Sequence, residues 1–222
     1  MTGWSVNYLM IKYFLRWGDF LARLKNKEND ILAAANEVFL SNGFSKANMQ
    51  DIADKAGIGK GTIYEYFKSK DDLFVQAFKY DIQSFSVQIN EEILKEESFF
   101  NKLTKHIEST ENFFLERGGR INYYITRGSA ELNPKAQLDL EQFVKNMKNS
   151  GKSLMYHILK QGIDEGHINN IDMDFAAEVV GGVVPFHCYR ICYENDYSKE
   201  QRREENVKLI NFIMNGIGTK KN

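Results

Sequence analysis

The chain has 222 residues, two prolines and a formal net charge of −1. That length holds one large domain, or a small domain on a larger one, and so few helix breakers point to a mostly helical protein. Near-neutral charge excludes binding of polyanions by bulk attraction, and no stretch alternates apolar and polar residues as a strand does.

Charge is only weakly divided along the chain. Residues 1–80 carry 11 Lys/Arg against 9 Asp/Glu, and residues 81–222 carry 18 against 21. A nucleic-acid footprint is therefore local and rests on geometry more than on a broad positive field. Cys188 and Cys192 are four apart, which places them on one helix face with poor geometry for a mutual disulfide. Two buried thiols suit a reducing cytoplasm.

Residues 4–24 form an aromatic amphipathic pattern. At 100° per residue Lys12, Arg16, Asp19 and Arg23 share a narrow wedge, and Trp4, Phe14, Trp17 and Phe20 lie among the apolar remainder. Four charges and a central glycine argue against a membrane span, and the segment lacks the flanks of a secretory signal. Three readings stay open: a helix lying at a membrane interface, a helix packed on the body or a partner, or translation starting at Met10 or later.

Helical spacing then predicts a helix over 26–42 through Ile31, Ala34, Ala35, Val38 and Phe39, closed by Gly43, with Phe44 plugging a small core. The next stretch, residues 46–74, reads KANMQDIADKAGIGKGTIYEYFKSKDDLF. Asn48 is an N-cap supported by Asp51, Ile52 and Ala56 share a face, and Gly57 suits a left-handed helix end. Gly59 opens a second short helix over 60–67, with Ile63 and Phe67 as its apolar pair. Its other face offers Lys60, Thr62, Tyr64, Glu65 and Tyr66, and Gly61 sits in its first turn. A helix, a tight turn and a short polar helix make a helix-turn-helix pattern.

The run DIADKAGIGKGTIYEYFKSKDDL resembles the TetR family of bacterial transcriptional regulators, with the likeness covering roughly residues 29–74. Gly59 departs from it, because the family more often places Ser or Thr there, and glycine is an acceptable cap. The resemblance implies that Lys60 and Tyr64 face base edges or nearby phosphates. By the same likeness Thr62, Tyr66 and Lys70 hold the DNA backbone, Gln50 reaches a phosphate or base edge, and Gly61 lets the helix start approach a phosphate. Glu65, a like charge to DNA, accepts from cytosine or faces solvent.

Beyond the motif, Ser69 and Asp72 form a capping box opening a helix through Leu73, Phe74, Ala77, Phe78 and Ile82 toward Ile89. Five more helices follow. They run over about 100–116, ended by Gly118-Gly119, over 122–131, and from Pro134 to about 165 before Gly166. The last two are capped by Asp172, reaching about 195, and by the Ser198–Gln201 box.

The likeness implies an effector site between the central helices and a dimer interface on the last two. Phe85, Phe114, Tyr123, Met147, Met155 and Phe186 are the expected lining, suited to a lipophilic or aromatic effector and competing with plain core packing. Gly181, Val184, Ile210, Ile213, Met214 and Ile217 are the expected dimer contacts, with Pro185 kinking the segment. His187, Cys188 and Cys192 lack zinc-finger spacing, so no metal is expected. Gly151-Lys152-Ser153 resembles the end of a phosphate loop, but position 146 is Asn, so no enzyme and no cofactor is expected.

The expected fold class is all-α, an N-terminal three-helix helix-turn-helix DNA-binding domain on a larger helical ligand-binding and dimerisation domain. Residues 1–25 are an extension, 26–74 the DNA-binding domain and 75–222 the body. The expected function is that of a cytoplasmic homodimeric repressor on a near-palindromic double-stranded DNA operator, released by a small-molecule effector. The alternative is a membrane-surface regulator using residues 4–24.

Overall fold

The computed structural model describes residues 26–193 and 197–217. The amphipathic pattern of residues 4–24 lies outside them, as does the side chain of Ile217. The described residues are mostly helical, joined by short turns, with no strand among them. The elements are α1 (Asn26–Asn42), α2 (Met49–Ala56), α3 (Lys60–Tyr66), α4 (Lys70–Lys95) and α5 (Phe99–Asn122). A π-helical turn (Tyr123–Gly128) and a 3₁₀ turn (Ser129–Glu131) lead into α6 (Pro134–Asp164), α7 (Met173–Tyr193) and α8 (Lys199–Ile217).

Local chemistry sets most of these boundaries. Gly43, Gly57 and Gly166, with φ of 78°, 67° and 76°, end α1, α2 and α6 in the left-handed region that a side chain disfavours. Asn133 Oδ1 accepts from Ala136 N at 3.0 Å and Asp172 Oδ1 from Phe175 N at 3.1 Å, capping α6 and α7. At α8 the capping box closes both ways: Ser198 N donates to Gln201 Oε1 at 2.8 Å, and Gln201 N donates to Ser198 Oγ at 3.3 Å.

The chain divides into two compact units. One runs to Val87 and takes in Thr126–Asp139; the other comprises Gln88–Ile125 and the chain from Leu140. In the first, α1 to α3 and the start of α4 close over Ile31, Ile52, Ile63, Phe67, Leu73 and Phe78, all nearly or wholly buried. Phe39, Phe44 and Phe74 form an aromatic knot at the centre, with Phe74 edge-on to both partners at 5.0 and 5.2 Å.

The second unit is a helical body. Its core joins Leu103 and Ile107 of α5, Met155, Ile158 and Leu159 of α6, Ala177, Val180 and Val184 of α7, and Leu209 and Ile213 of α8. A polar chain crosses it. Arg202 Nε donates to Glu111 Oε1 at 2.7 Å, Asn206 Nδ2 to Glu111 Oε2 at 2.6 Å, and Asn206 Oδ1 meets His187 Nε2 at 3.1 Å. These partners satisfy groups that burial would otherwise penalise.

Two expectations are corrected here. The Gly118-Gly119 pair does not end its helix, because α5 continues to Asn122. Gly118 instead makes room for Tyr193, since a Cβ there would come within 2.5 Å of that ring. Tyr193 Oη donates to the Phe114 carbonyl, so the missing side chain seats the end of α7 on α5. The helix expected over 122–131 is a π turn followed by a 3₁₀ turn, a geometry that local periodicity does not announce.

Candidate nucleic-acid interface

The site is built by the α2–turn–α3 unit. Asn48 Oδ1 accepts from Gln50 N at 2.8 Å and Asp51 N at 2.9 Å, while Asn48 Nδ2 donates to Asp51 Oδ2 at 2.8 Å. The start of α2 is thus pinned. At its end Gly57 N donates to Asp54 O at 3.2 Å and Ile58 N to Ala53 O at 3.0 Å, a paired closure that turns the chain sharply into α3. Ile52 and Ala53 of α2 and Ile63 of α3 are fully buried, so the angle between the two helices is set by core packing.

Helix α3 is anchored on one side only. Ile63 and Phe67 point inward, and Lys60, Gly61, Tyr64, Glu65 and Tyr66 are exposed, with Thr62 half-buried. On a helical wheel Gly61 and Glu65 lie directly opposite the Ile63/Phe67 anchor, and Tyr64 and Tyr66 flank them. The outward face is therefore a shallow strip bounded by two phenols. Neither Gly59 nor Gly61 is demanded by the fold: a Cβ at either meets nothing within 4 Å, and neither has positive φ. Their lack of side chains leaves open space at the start of α3.

Two of the other expected DNA contacts have partners within the unit. Gln50 is exposed, and its Nε2 donates to Asp54 Oδ1 at 2.7 Å. Lys70 is half-buried; its Nζ donates to Ser45 O at 3.3 Å and lies 4.5 Å from the centre of the Phe44 ring. Lys70 thereby ties the loop after α1 to the start of α4. The Ser69–Asp72 box holds that start, with Asp72 N donating to Ser69 Oγ at 3.1 Å and Lys68 N to Asp72 Oδ2 at 2.9 Å.

The residues expected to line an effector cavity sit in different settings. Met155 is wholly buried in the body core. Phe186 is 66% exposed on the outer side of α7 and faces away from the core. Phe114 packs edge-on against Tyr189 at 5.9 Å and Tyr123 against Tyr124 at 5.6 Å, while Phe85 and Met147 are half-buried.

The expected dimer contacts likewise differ in exposure. Val184 and Ile213 are buried in the chain's own core, and Gly181 faces α6, 3.7 Å from Met155 Cβ for a Cβ built there. Ile210 and Met214 are half-buried against the core. Among the described residues an exposed apolar stripe lies on the opposite side of α7, with Phe175, Val179 and Phe186 exposed and open space at Gly182. On α8 Val207 and Phe212, the latter 71% exposed, add to the apolar surface. The spacing 175, 179, 182, 186 repeats at i, i+4, i+7, i+11 and was the sequence signal for this face.

The family described as "Bacterial regulatory proteins, tetR family" matches residues 31–77. A fatty acid metabolism regulator protein of Bacillus subtilis is 30% identical over 159 residues, spanning 71% of this chain and 79% of that protein. The HTH-type transcriptional regulator QacR of Staphylococcus aureus is 23% identical, spanning 86% of this chain and 98% of that one. Among solved structures, the regulator FadR of Bacillus subtilis in complex with stearoyl-CoA superposes with a TM-score of 0.62 at 23% identity. That superposition covers 85% of this chain and 98% of the other.

Proposed function

The chain belongs to the TetR family of bacterial regulatory proteins, and from that premise we propose that it is a repressor released from its operator by a long-chain acyl thioester. It is a DNA-binding transcriptional regulator rather than an enzyme, and it works as a homodimer with a small-molecule effector. Residues 26–74 serve as the reading head and 75–222 as the ligand and dimer body. The setting is the cytoplasm, and no described helix is long and apolar enough to cross a membrane. The relatives lend nothing to a membrane-surface role.

The observation that carries the DNA reading is the outward face of α3. A helix of seven residues that buries Ile63 alone has little reason to exist for the core. It presents Lys60, Tyr64 and Tyr66 to solvent beside an uncovered backbone at Gly61. In the major groove Lys60 and Tyr64 reach base edges or adjacent phosphates, and Thr62 and Tyr66 fix register on the backbone. Gln50 and Lys70 act from the rim, Lys70 partly by holding the loop at Ser45. Two heads read a near-palindrome with half-sites about one turn or a small multiple apart.

The dimer forms through the exposed stripe of α7 with α8. A monomer seldom leaves Phe175, Phe186 and Phe212 each about two-thirds exposed without a partner surface. The effector reading rests on the acyl-CoA bound by one structural neighbour and the fatty acid role named for the 30% identical relative. The effector needs only a higher affinity for the body state that mis-spaces the heads.

The test is fluorescence anisotropy on an operator selected from random duplex DNA. Lys60→Ala and Tyr64→Ala weaken binding about 10-fold or more, and Lys60→Ala lowers the salt slope by about 1. Stearoyl-CoA releases the wild-type complex. Unchanged affinity in both variants rejects the α3 assignment, and a complex indifferent to stearoyl-CoA rejects the effector.

A further inference from the structure

Glu65 is an acid at the centre of a surface that meets a polyanion. Ile63 and Phe67 are buried, and on a helical wheel Glu65 points directly away from both, exposed between Tyr64 and Tyr66. Side chains on a helix lean toward its N-terminus, so Glu65 covers the turn at Gly61. A Cβ at Gly61 would meet nothing within 4 Å, so the carboxylate stands over bare backbone and open space.

Acids elsewhere in the motif are engaged. Asp51 Oδ2 accepts from Asn48 Nδ2 at 2.8 Å, Asp54 Oδ1 from Gln50 Nε2 at 2.7 Å, and Asp72 Oδ2 from Lys68 N at 2.9 Å. Among the described residues no hydrogen bond or ion pair holds the Glu65 carboxylate, although Lys60 and Lys68 are close to it in the chain. The described fold makes no use of this charge, and the phosphates of a duplex repel it.

In the major groove only an amino group on a base edge rewards an ionised carboxylate, which accepts and never donates. Guanine presents two acceptors there, thymine an acceptor and a methyl, and adenine an N7 acceptor beside its N6 amine. Cytosine alone offers an amine, at N4, with no acceptor next to it. We infer that Glu65 is a specificity residue that accepts a hydrogen bond from cytosine N4 at one fixed position of each half-site. The inference rests on the placing of α3 in the major groove and adds a base pair that the helix selects. Repulsion from every other sequence belongs to the same device, because it sharpens the choice between sites.

The test takes duplexes selected by the full wild-type chain from a random library and makes each single base-pair replacement in them. Anisotropy at fixed salt reads the affinities. The selected half-site holds one C·G pair at which replacement by T·A weakens wild-type binding about tenfold or more. Glu65→Ala brings C·G and T·A at that pair within about twofold of each other and binds random-sequence duplex more tightly than wild type. Its preferences at the other pairs stay as they were, which reports an intact head. Glu65→Gln, whose amide both donates and accepts, moves the preference at that pair toward A·T. A Glu65→Ala chain that keeps the C·G preference, or that tightens on every duplex alike, overturns the inference. So does a selected half-site in which no pair responds to Glu65. Should Lys60→Ala and Tyr64→Ala leave operator affinity unchanged, the α3 reading falls and the inference with it. Where both weaken binding, a negative result at Glu65 tells against the inference alone.

Discussion

Gly61→Ala separates what the recognition helix owes to the fold from what it owes to DNA. The glycine lies in the first turn of α3, its φ is not positive, and an added Cβ meets nothing within 4 Å. Alanine therefore enters without strain and removes a helix penalty of up to about 1 kcal/mol. For a chain of this size that raises the melting temperature by roughly 2–4 °C. On DNA the sign reverses. If the backbone at position 61 approaches a phosphate, the methyl group pushes it away and forfeits a charge-assisted hydrogen bond of about 1.5–3 kcal/mol. That corresponds to about a 10- to 100-fold loss in operator affinity. Scanning fluorimetry reads the first effect and anisotropy at fixed salt the second. A stabilised variant with unchanged operator affinity would falsify the close approach, and a destabilised one would show that α3 has internal contacts absent from the structure.

Other perturbations address the body. Phe186→Glu, on the exposed stripe of α7, converts the dimer to monomer in analytical ultracentrifugation without lowering helicity by circular dichroism; a persistent dimer places the interface elsewhere. Glu111→Leu strands Arg202 and Asn206 and costs about 3 kcal/mol in urea unfolding, whereas adding Arg202→Met recovers part of that loss. Additive losses argue against coupling through this network. For His106 the unfolded chain titrates near 6.5 and the folded chain near 4, so the unfolded state takes up the proton first. Stability therefore falls as pH drops from about 6.5 to about 4, by up to about 3 kcal/mol, and levels off below that. His106→Gln lacks this slope, so it gains on wild type as the solution is acidified; parallel melting curves from pH 7 to 4 contradict the assignment.

Local signals gave the helices and their punctuation correctly where the cause is local. Asn48, Ser69, Asn133, Asp172 and Ser198 cap helices because a short polar side chain finds an unpaired N–H two or three residues on. Gly57 closes α2 because only a residue without a Cβ takes a left-handed turn cheaply, and the α2–turn–α3 motif follows from those two ends with Ile52 and Ile63 between them. The outward face of α3 was legible for the same reason, since burying Ile63 and Phe67 dictates where Lys60, Tyr64 and Tyr66 must point.

The sequence by itself thus determined the helical class, the reading motif and the family. Only the tertiary structure decided which of the body's apolar residues are buried in its core and which stay exposed. Helix α7 is apolar nearly all round, so periodicity could not say whether Val184 or Phe186 faces inward. Packing against α5 settled it: Ala177, Val184 and Cys188 fit the close approach, and the bulkier Phe175 and Phe186 were left outside. At Gly118, likewise, a residue that locally favours a break stays helical because Tyr193 fills the space it leaves. Caps and turns are fixed by neighbours a few residues away, whereas the inward face of a helix is fixed by surfaces 70 to 100 residues distant, such as Glu111 for Arg202 and Asn206.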